Sequence, residues 1–149
     1  MIFWRGNFIG APRQFRRPGR EQNNFRAMTN SRAMRIAAVM GLLAVVLGAF
    51  GAHALKETLA EHQNGTALWE KAVFYHFIHA VMLFILAARK PLRRVAWFGF
   101  FIGIILFSGS LYLYAVTSVK WLVALTPIGG VSFMVGWICL IICPPADAN

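Results

Sequence analysis

The chain has 149 residues, of which 58% are hydrophobic and 13% charged, and its formal net charge is +10. A soluble domain averages about 45–50% apolar and about 25% charged residues, so an ordinary water-soluble fold is excluded. A mean hydropathy of +0.59 excludes a disordered basic chain as well, since disorder goes with low hydrophobicity. Length allows one domain, and two cysteines, Cys139 and Cys143, are too few for a disulfide scaffold.

Residues 1–33 form a basic arm with seven arginines against one glutamate. It shows no helical or strand periodicity, and Gly6, Gly10, Pro12, Pro18 and Gly19 interrupt any element, so it reads as flexible. Its composition suits an organelle transit peptide, a lipid-attracting basic segment or a nucleic-acid arm. No nucleic-acid module accompanies it, so no nucleic-acid partner is expected. The alternative is that translation starts at Met28 or Met34 and the arm is an over-extended start.

From Met34 to Cys143 the chain is nearly continuous apolar sequence. Four spans are expected over 36–54, 67–88, 95–116 and 121–143, followed by a short tail, 144–149. Each approaches the roughly 20 residues that carry a helix across a hydrocarbon core. Without water to satisfy backbone groups, each must be a helix or part of a closed barrel, and the lack of alternating polar residues disfavours a barrel. The expected fold is all-α: a polytopic membrane protein folded as a compact four-transmembrane-helix bundle.

The connections suggest an orientation. Arg89, Lys90, Arg93 and Arg94 lie between spans two and three, and Arg35 precedes span one. The segment 56–71 carries two lysines and three glutamates. Under the positive-inside rule the arginine-rich loop is cytoplasmic, which puts both termini inside an inner (plasma) membrane. In the turn after span three, Lys120 opposes this pattern. Trp69, Trp97, Trp121 and Tyr114 fall near expected interfaces, as membrane anchors would. Span one followed by Ala52-His53-Ala54 also imitates a cleavable signal peptide, but the charge pattern opposes cleavage.

Small residues recur at helical spacing. Span one carries Ala37, Gly41, Ala44, Gly48 and Ala52; span three has Gly99 and Gly103; span four has Gly129, Ser132, Gly136, Cys139 and Cys143. Lipid is as apolar as Leu, so helix association depends on the close approach these residues permit. The stripes predict helix packing at Gly41, Gly48, Gly99, Gly103, Gly129 and Gly136, or faces for self-association or other membrane proteins. A two-cysteine metal site is the weaker use of Cys139 and Cys143, since no His or carboxylate lies near.

With that orientation the polar residues gather in the outer half. His53, Tyr75, His76, His79, Ser108, Ser110, Tyr112 and Thr126 form a candidate polar pocket, with Pro127 and Gly129-Gly130 loosening the start of span four. A hydrogen-bonded network between helices is the structural alternative. His76 and His79 could share one ion with His53, but HxxH is common and no motif for nucleotide, metal or nucleophile chemistry appears. No catalytic residue, cofactor or metal is therefore expected. Asn64-Gly65-Thr66 matches a glycosylation sequon and equally marks a turn.

Four motifs carry a family resemblance. Gly48-Ala49-Phe50-Gly51-Ala52-His53-Ala54-Leu55, Tyr75-His76 with His79-Ala80, Leu106-Phe107-Ser108-Gly109-Ser110-Leu111-Tyr112, and Thr126-Pro127-Ile128-Gly129-Gly130 with Gly136-Trp137 together resemble the YgdD-like small membrane proteins. These are catalogued as domain of unknown function 423, to which eukaryotic transmembrane protein 256 is similar. The resemblance covers residues 34–143 and implies four membrane helices without an established activity. The arm departs from it.

Three function classes follow. One is a non-enzymatic binding or carrier protein with an outward-facing polar pocket for a small molecule or lipid group. The second is a structural or assembly partner docking through Gly/Ala faces, and the third a histidine-based membrane oxidoreductase subunit.

Overall fold

The computed structural model describes residues 19–142, with side chains from Asn30 onward. The arm residues 1–18, Cys143 and the tail 144–149 lie outside the described residues.

Four helices long and apolar enough to cross a membrane occupy Asn30–Ala52, Gly65–Ala88, Arg94–Thr117 and Lys120–Ile142. The first lies within a longer helix, α1 (Gly19–Ala52), which begins inside the segment that reads as a flexible arm. The physical reason is local. Pro18-Gly19 is the last breaker before Gly41, and the residues between include good helix formers such as Arg, Gln, Ala and Met. A short helix, α2 (Lys56–Glu61), follows in what reads as a loop. Asn64 then turns the chain in the left-handed region, at φ 61°, and α3 (Gly65–Ala88) begins. The third span is α4 (Arg94–Gly103), a π-helical turn (Ile104–Ser108) and α5 (Gly109–Thr117). The fourth begins as a 3₁₀ turn (Lys120–Ala124) and continues as α6 (Leu125–Ile142).

The spans pack as α1 on α3, α3 on the α4–α5 helix, and the latter on α6. Among the described residues the backbone of α1 approaches neither α4, α5 nor α6, so the middle pair is central and α1 and α6 flank it. On α1 the buried line is Ala33, Ala37, Ala44 and Gly51. Ala52, at the end of the expected stripe, is exposed.

Glycines set the closest approaches. At Gly99 a Cβ would lie 3.0 Å from Gly136 N and 3.1 Å from the Ser132 carbonyl, so α4 and α6 meet backbone to backbone. The Ser132 hydroxyl seals the contact, donating to the Gly99 carbonyl at 2.8 Å. Gly129 abuts the Phe107 backbone within the π turn, where a Cβ would fall 2.7 Å from Phe107 Cα. Gly103 accommodates the Phe133 ring and Gly136 the Phe100 ring. Gly48 is looser, with Val73 Cγ1 at 3.4 Å. Gly41 makes no internal contact of this kind, because a Cβ there meets nothing within 4 Å.

The two ends of the molecule differ in charge. The Asn30 amide donates to the Arg89 carbonyl at 3.1 Å, so Arg35 shares one end with Arg89, Lys90, Arg93 and Arg94. Glu57, Glu61 and Glu70 lie at the other, mixed with Lys56 and Lys71, on α2 and the start of α3. There α2 drives Leu59 into a cluster with Trp69, Ala72, Leu111, Tyr112 and Ala115. Trp69 and Trp97 are buried in the protein at 6% and 4% exposure, so neither serves as the lipid-facing anchor its position suggests; Trp121 is exposed.

Candidate functional site

The structure divides the eight candidate pocket residues among separate contacts. His76 and His79, three residues apart on α3, diverge by about 60° of helical rotation. His79 is 5% exposed and turns toward α4 and α6. Its Nδ1–H donates to the Tyr75 carbonyl at 2.7 Å, leaving Nε2 to accept from Trp137 Nε1–H at 3.3 Å. That pairing assigns the neutral Nδ1–H tautomer. The imidazole stacks on Phe133 with centroids 3.6 Å apart and has Phe100 on another side. His76 instead faces α5: its Nδ1 lies 3.4 Å from the Tyr112 hydroxyl, and its buried Nε2 has no hydrogen-bond partner among the described residues.

Ser110 and Thr126 form a third group. The Ser110 hydroxyl donates to the Phe107 carbonyl at 2.9 Å, so the Thr126 hydroxyl must donate the 2.8 Å bond between them. Ser108 is fully buried in the π turn, and its hydroxyl has no hydrogen-bond partner among the described residues. Tyr75 is partly exposed and packs its ring on Phe107 at 4.8 Å. His53 stands apart in the exposed turn after α1. Among the described residues no three His, Cys, Asp or Glu side chains converge as metal ligands. Cys139 packs against the core, and its companion Cys143 lies outside the described residues.

A groove of about 620 Å³ lies beside these groups, between α1, α2 and the first half of α3, and none of the eight residues lines it. This volume suits a small-molecule site. Gly48, Gly51, Trp69 and Val73 belong to its apolar lining, with Phe74, Phe77 and Ile78 farther along α3. Lys56, Thr66 and Glu70 supply its polar groups, all at the end that carries α2. Trp69 fixes one wall. A Cβ at Gly51 would collide with its indole, and the indole Nε1–H donates to the Leu47 carbonyl at 2.9 Å. Behind it Tyr112 packs edge-on with centroids 4.7 Å apart, and Tyr112 in turn meets His76. The buried network thus backs the groove through Trp69.

Residue-type reasoning passed over Lys56, Thr66, Glu70, Trp69 and Gly51 as site residues. One signal was present for Gly51, which stands inside the motif from Gly48 to Leu55. Another was Glu70-Lys71, a charged pair at the very entry of an apolar span.

Comparison with known proteins places the chain. A family model described as a protein of unknown function, DUF423, matches residues 47–130. UPF0382 membrane protein SAB0533 of Staphylococcus aureus (strain bovine RF122 / ET3-1) is 43% identical over 111 residues, covering 72% of this chain and 89% of the relative. UPF0382 membrane protein YwdK of Bacillus subtilis (strain 168) is 41% identical over 114 residues, 72% of this chain and 90% of the relative. UPF0382 inner membrane protein YgdD of Escherichia coli (strain K12) is 35% identical over 121 residues, 77% and 90%. No solved structure matches. With four apolar spans, tight glycine contacts between them and these relatives, the chain is a multi-pass membrane protein that belongs to the DUF423 family, whose matched members are named UPF0382 membrane proteins.

Proposed function

We propose that the protein is a non-enzymatic binding or carrier protein of the inner membrane. Its site is the groove between α1, α2 and α3, which faces outward when Arg35, Arg89, Lys90, Arg93 and Arg94 hold both termini in the cytoplasm. The observation that carries this reading is the division of the lining: an apolar trough with a cation, a carboxylate and a hydroxyl confined to one end. An amphipathic molecule with a zwitterionic head matches that division. Lys56 takes its anionic group, Glu70 its cationic group, and the tail follows Val73, Phe74 and Phe77 down α3. His76 and Tyr112 act indirectly, by supporting Trp69. No reacting group is required of the protein, and each polar side chain serves to hold and orient.

The test is equilibrium binding of a zwitterionic lysophospholipid to the purified protein in detergent. Ala52 is exposed and lines the groove, so Ala52→Trp fills it from its edge. Saturable binding that Ala52→Trp abolishes supports the reading; binding that this variant leaves unchanged refutes it. A second reading, an assembly partner docking through small-residue faces, draws support from α1 alone, where a Cβ at Gly41 would meet nothing within 4 Å among the described residues. Loss of a co-purifying partner in Gly41→Leu favours it. The remaining glycine faces are consumed by contacts within the protein.

A further inference from the structure

A second cavity, of about 210 Å³, opens at the arginine-rich end, between the last two turns of α3, the loop that joins α3 to α4 and the far end of α6. Its walls change character with depth. Met82, Ile85 and Leu86 on α3 and Leu140 on α6 are apolar, while Arg89 and Arg93 line the end nearest the α3–α4 loop. Arg89 is exposed where α3 stops, and Arg93 is half-buried and already engaged within the protein.

We infer that this cavity binds the phosphate head of an anionic phospholipid, with Arg89 and Arg93 on the phosphate and the apolar walls along the first part of an acyl chain. Charge and depth together carry the inference. Guanidinium groups match phosphate oxygens with paired donors. Basic pockets between membrane helices suit anionic lipid heads. The end is positive throughout its loop: Arg89, Lys90, Arg93 and Arg94 occupy it, while the opposite end mixes Glu57, Glu61 and Glu70 with Lys56 and Lys71. Leu86 and Leu140 already pack in the core, but Ile85 is exposed beside the arginines; a free phosphate ion would use the arginines alone, whereas a lipid also covers Ile85. The site is distinct from the outer groove in position, charge and ligand, and the two stand or fall separately. The orientation under Proposed function decides only that the lipid belongs to the cytoplasmic leaflet.

The test uses the full-length protein in nanodiscs of equal phosphatidylglycerol and phosphatidylcholine, with retained lipids counted by native mass spectrometry after release. The wild-type protein is expected to retain phosphatidylglycerol preferentially. Arg89→Gln should cut that preference more than tenfold, the equivalent of about 1.5 kcal/mol for lost charge-assisted hydrogen bonds to the phosphate. Arg89→Lys keeps the charge but loses the paired donors and should restore only part of it. Lys90→Gln removes a charge from the same loop outside the cavity and should leave the preference unchanged. Should Arg93→Gln fail to fold, the Arg89 pair still decides, because Arg89 is exposed and its recorded hydrogen bonds to Asn30 and Leu86 are made by its backbone. Equal retention of the two lipids by the wild-type protein overturns the inference. So does a loss in Lys90→Gln as large as in Arg89→Gln, which would mean diffuse charge attraction. Displacement of the lipid by millimolar inorganic phosphate would assign the cavity to a free anion instead.

Discussion

Replacing single glycines by alanine grades the packing between α4 and α6. Gly129→Ala places a methyl against the Phe107 backbone, within 2.7 Å of its Cα, where no side chain can rotate away. The helices must separate or the π turn must shift. Overpacking of this kind costs about 1–3 kcal/mol, and a backbone obstacle belongs at the upper end. Gly99→Ala meets Gly136 N at 3.0 Å and Gly136 Cα at 3.1 Å, so a few tenths of an ångström suffice and the cost is smaller. Gly130→Ala meets the Phe107 ring at 3.8 Å, an ordinary contact, and Gly41→Ala meets nothing within 4 Å. These two should be neutral or gain up to about 1 kcal/mol, because alanine is the better helix former. Unfolding in mixed micelles, followed by tryptophan emission, gives the four free energies. The expected order of loss is Gly129→Ala, then Gly99→Ala, then Gly130→Ala and Gly41→Ala together. A Gly129→Ala protein as stable as wild type, or a Gly41→Ala protein as damaged as Gly129→Ala, would refute this packing.

Further outcomes follow from other contacts. Leu59→Ala, which empties the fully buried anchor of α2, should cost about 2–5 kcal/mol in the same unfolding assay; a loss below 1 kcal/mol would mean α2 does not pack on the end of the bundle. Ser132→Ala removes one hydroxyl bond to the Gly99 carbonyl and should cost only about 0.6 kcal/mol, typical of side-chain bonds between membrane helices. His79→Phe keeps the ring stack on Phe133 but takes the acceptor from Trp137. It should shift Trp137 emission with little change in lysophospholipid binding. For orientation, in a background with Cys139→Ser and Cys143→Ser, the exposed positions Gln63→Cys and Lys90→Cys discriminate: the first should react with an impermeant maleimide added to intact cells and the second only after lysis, and the reverse pattern would invert the topology.

The spans are legible in the sequence because crossing a bilayer demands an unbroken apolar run, a property of the chain in one dimension. The turn at Asn64-Gly65 is legible for a similar reason: Asn adopts φ 61° there, a conformation asparagine tolerates well. Which way a side chain points around a membrane helix is harder. Lipid-facing and protein-facing positions are both apolar, so no polar stripe marks the outside. His76 and His79 look like one cluster in sequence, yet one faces Tyr112 and the other Trp137. Trp69 and Trp97 lie at interfacial depth but turn inward. Gly41 keeps the spacing of the α1 stripe, yet among the described residues a Cβ there would meet nothing within 4 Å, and Gly51 sits one residue off the predicted series, facing Trp69. The groove escaped notice because its polar groups are few and lie at span ends, where charge is ordinarily read as topology. Six-residue α2 shows too short a pattern to separate from a loop, and its helical state depends on Leu59 finding the α3–α5 cluster.

Trp69 in the wall of the groove between α1, α2 and α3 reports directly on a ligand there. Titrating the protein in detergent with a brominated lysophosphatidylethanolamine should quench a saturable fraction of the tryptophan emission. Trp69→Phe should remove that fraction, and the pair Lys56→Gln and Glu70→Gln should weaken the titration at least fivefold. Quenching that rises linearly without saturation, or that persists undiminished in Trp69→Phe, would contradict a ligand site between α1, α2 and α3.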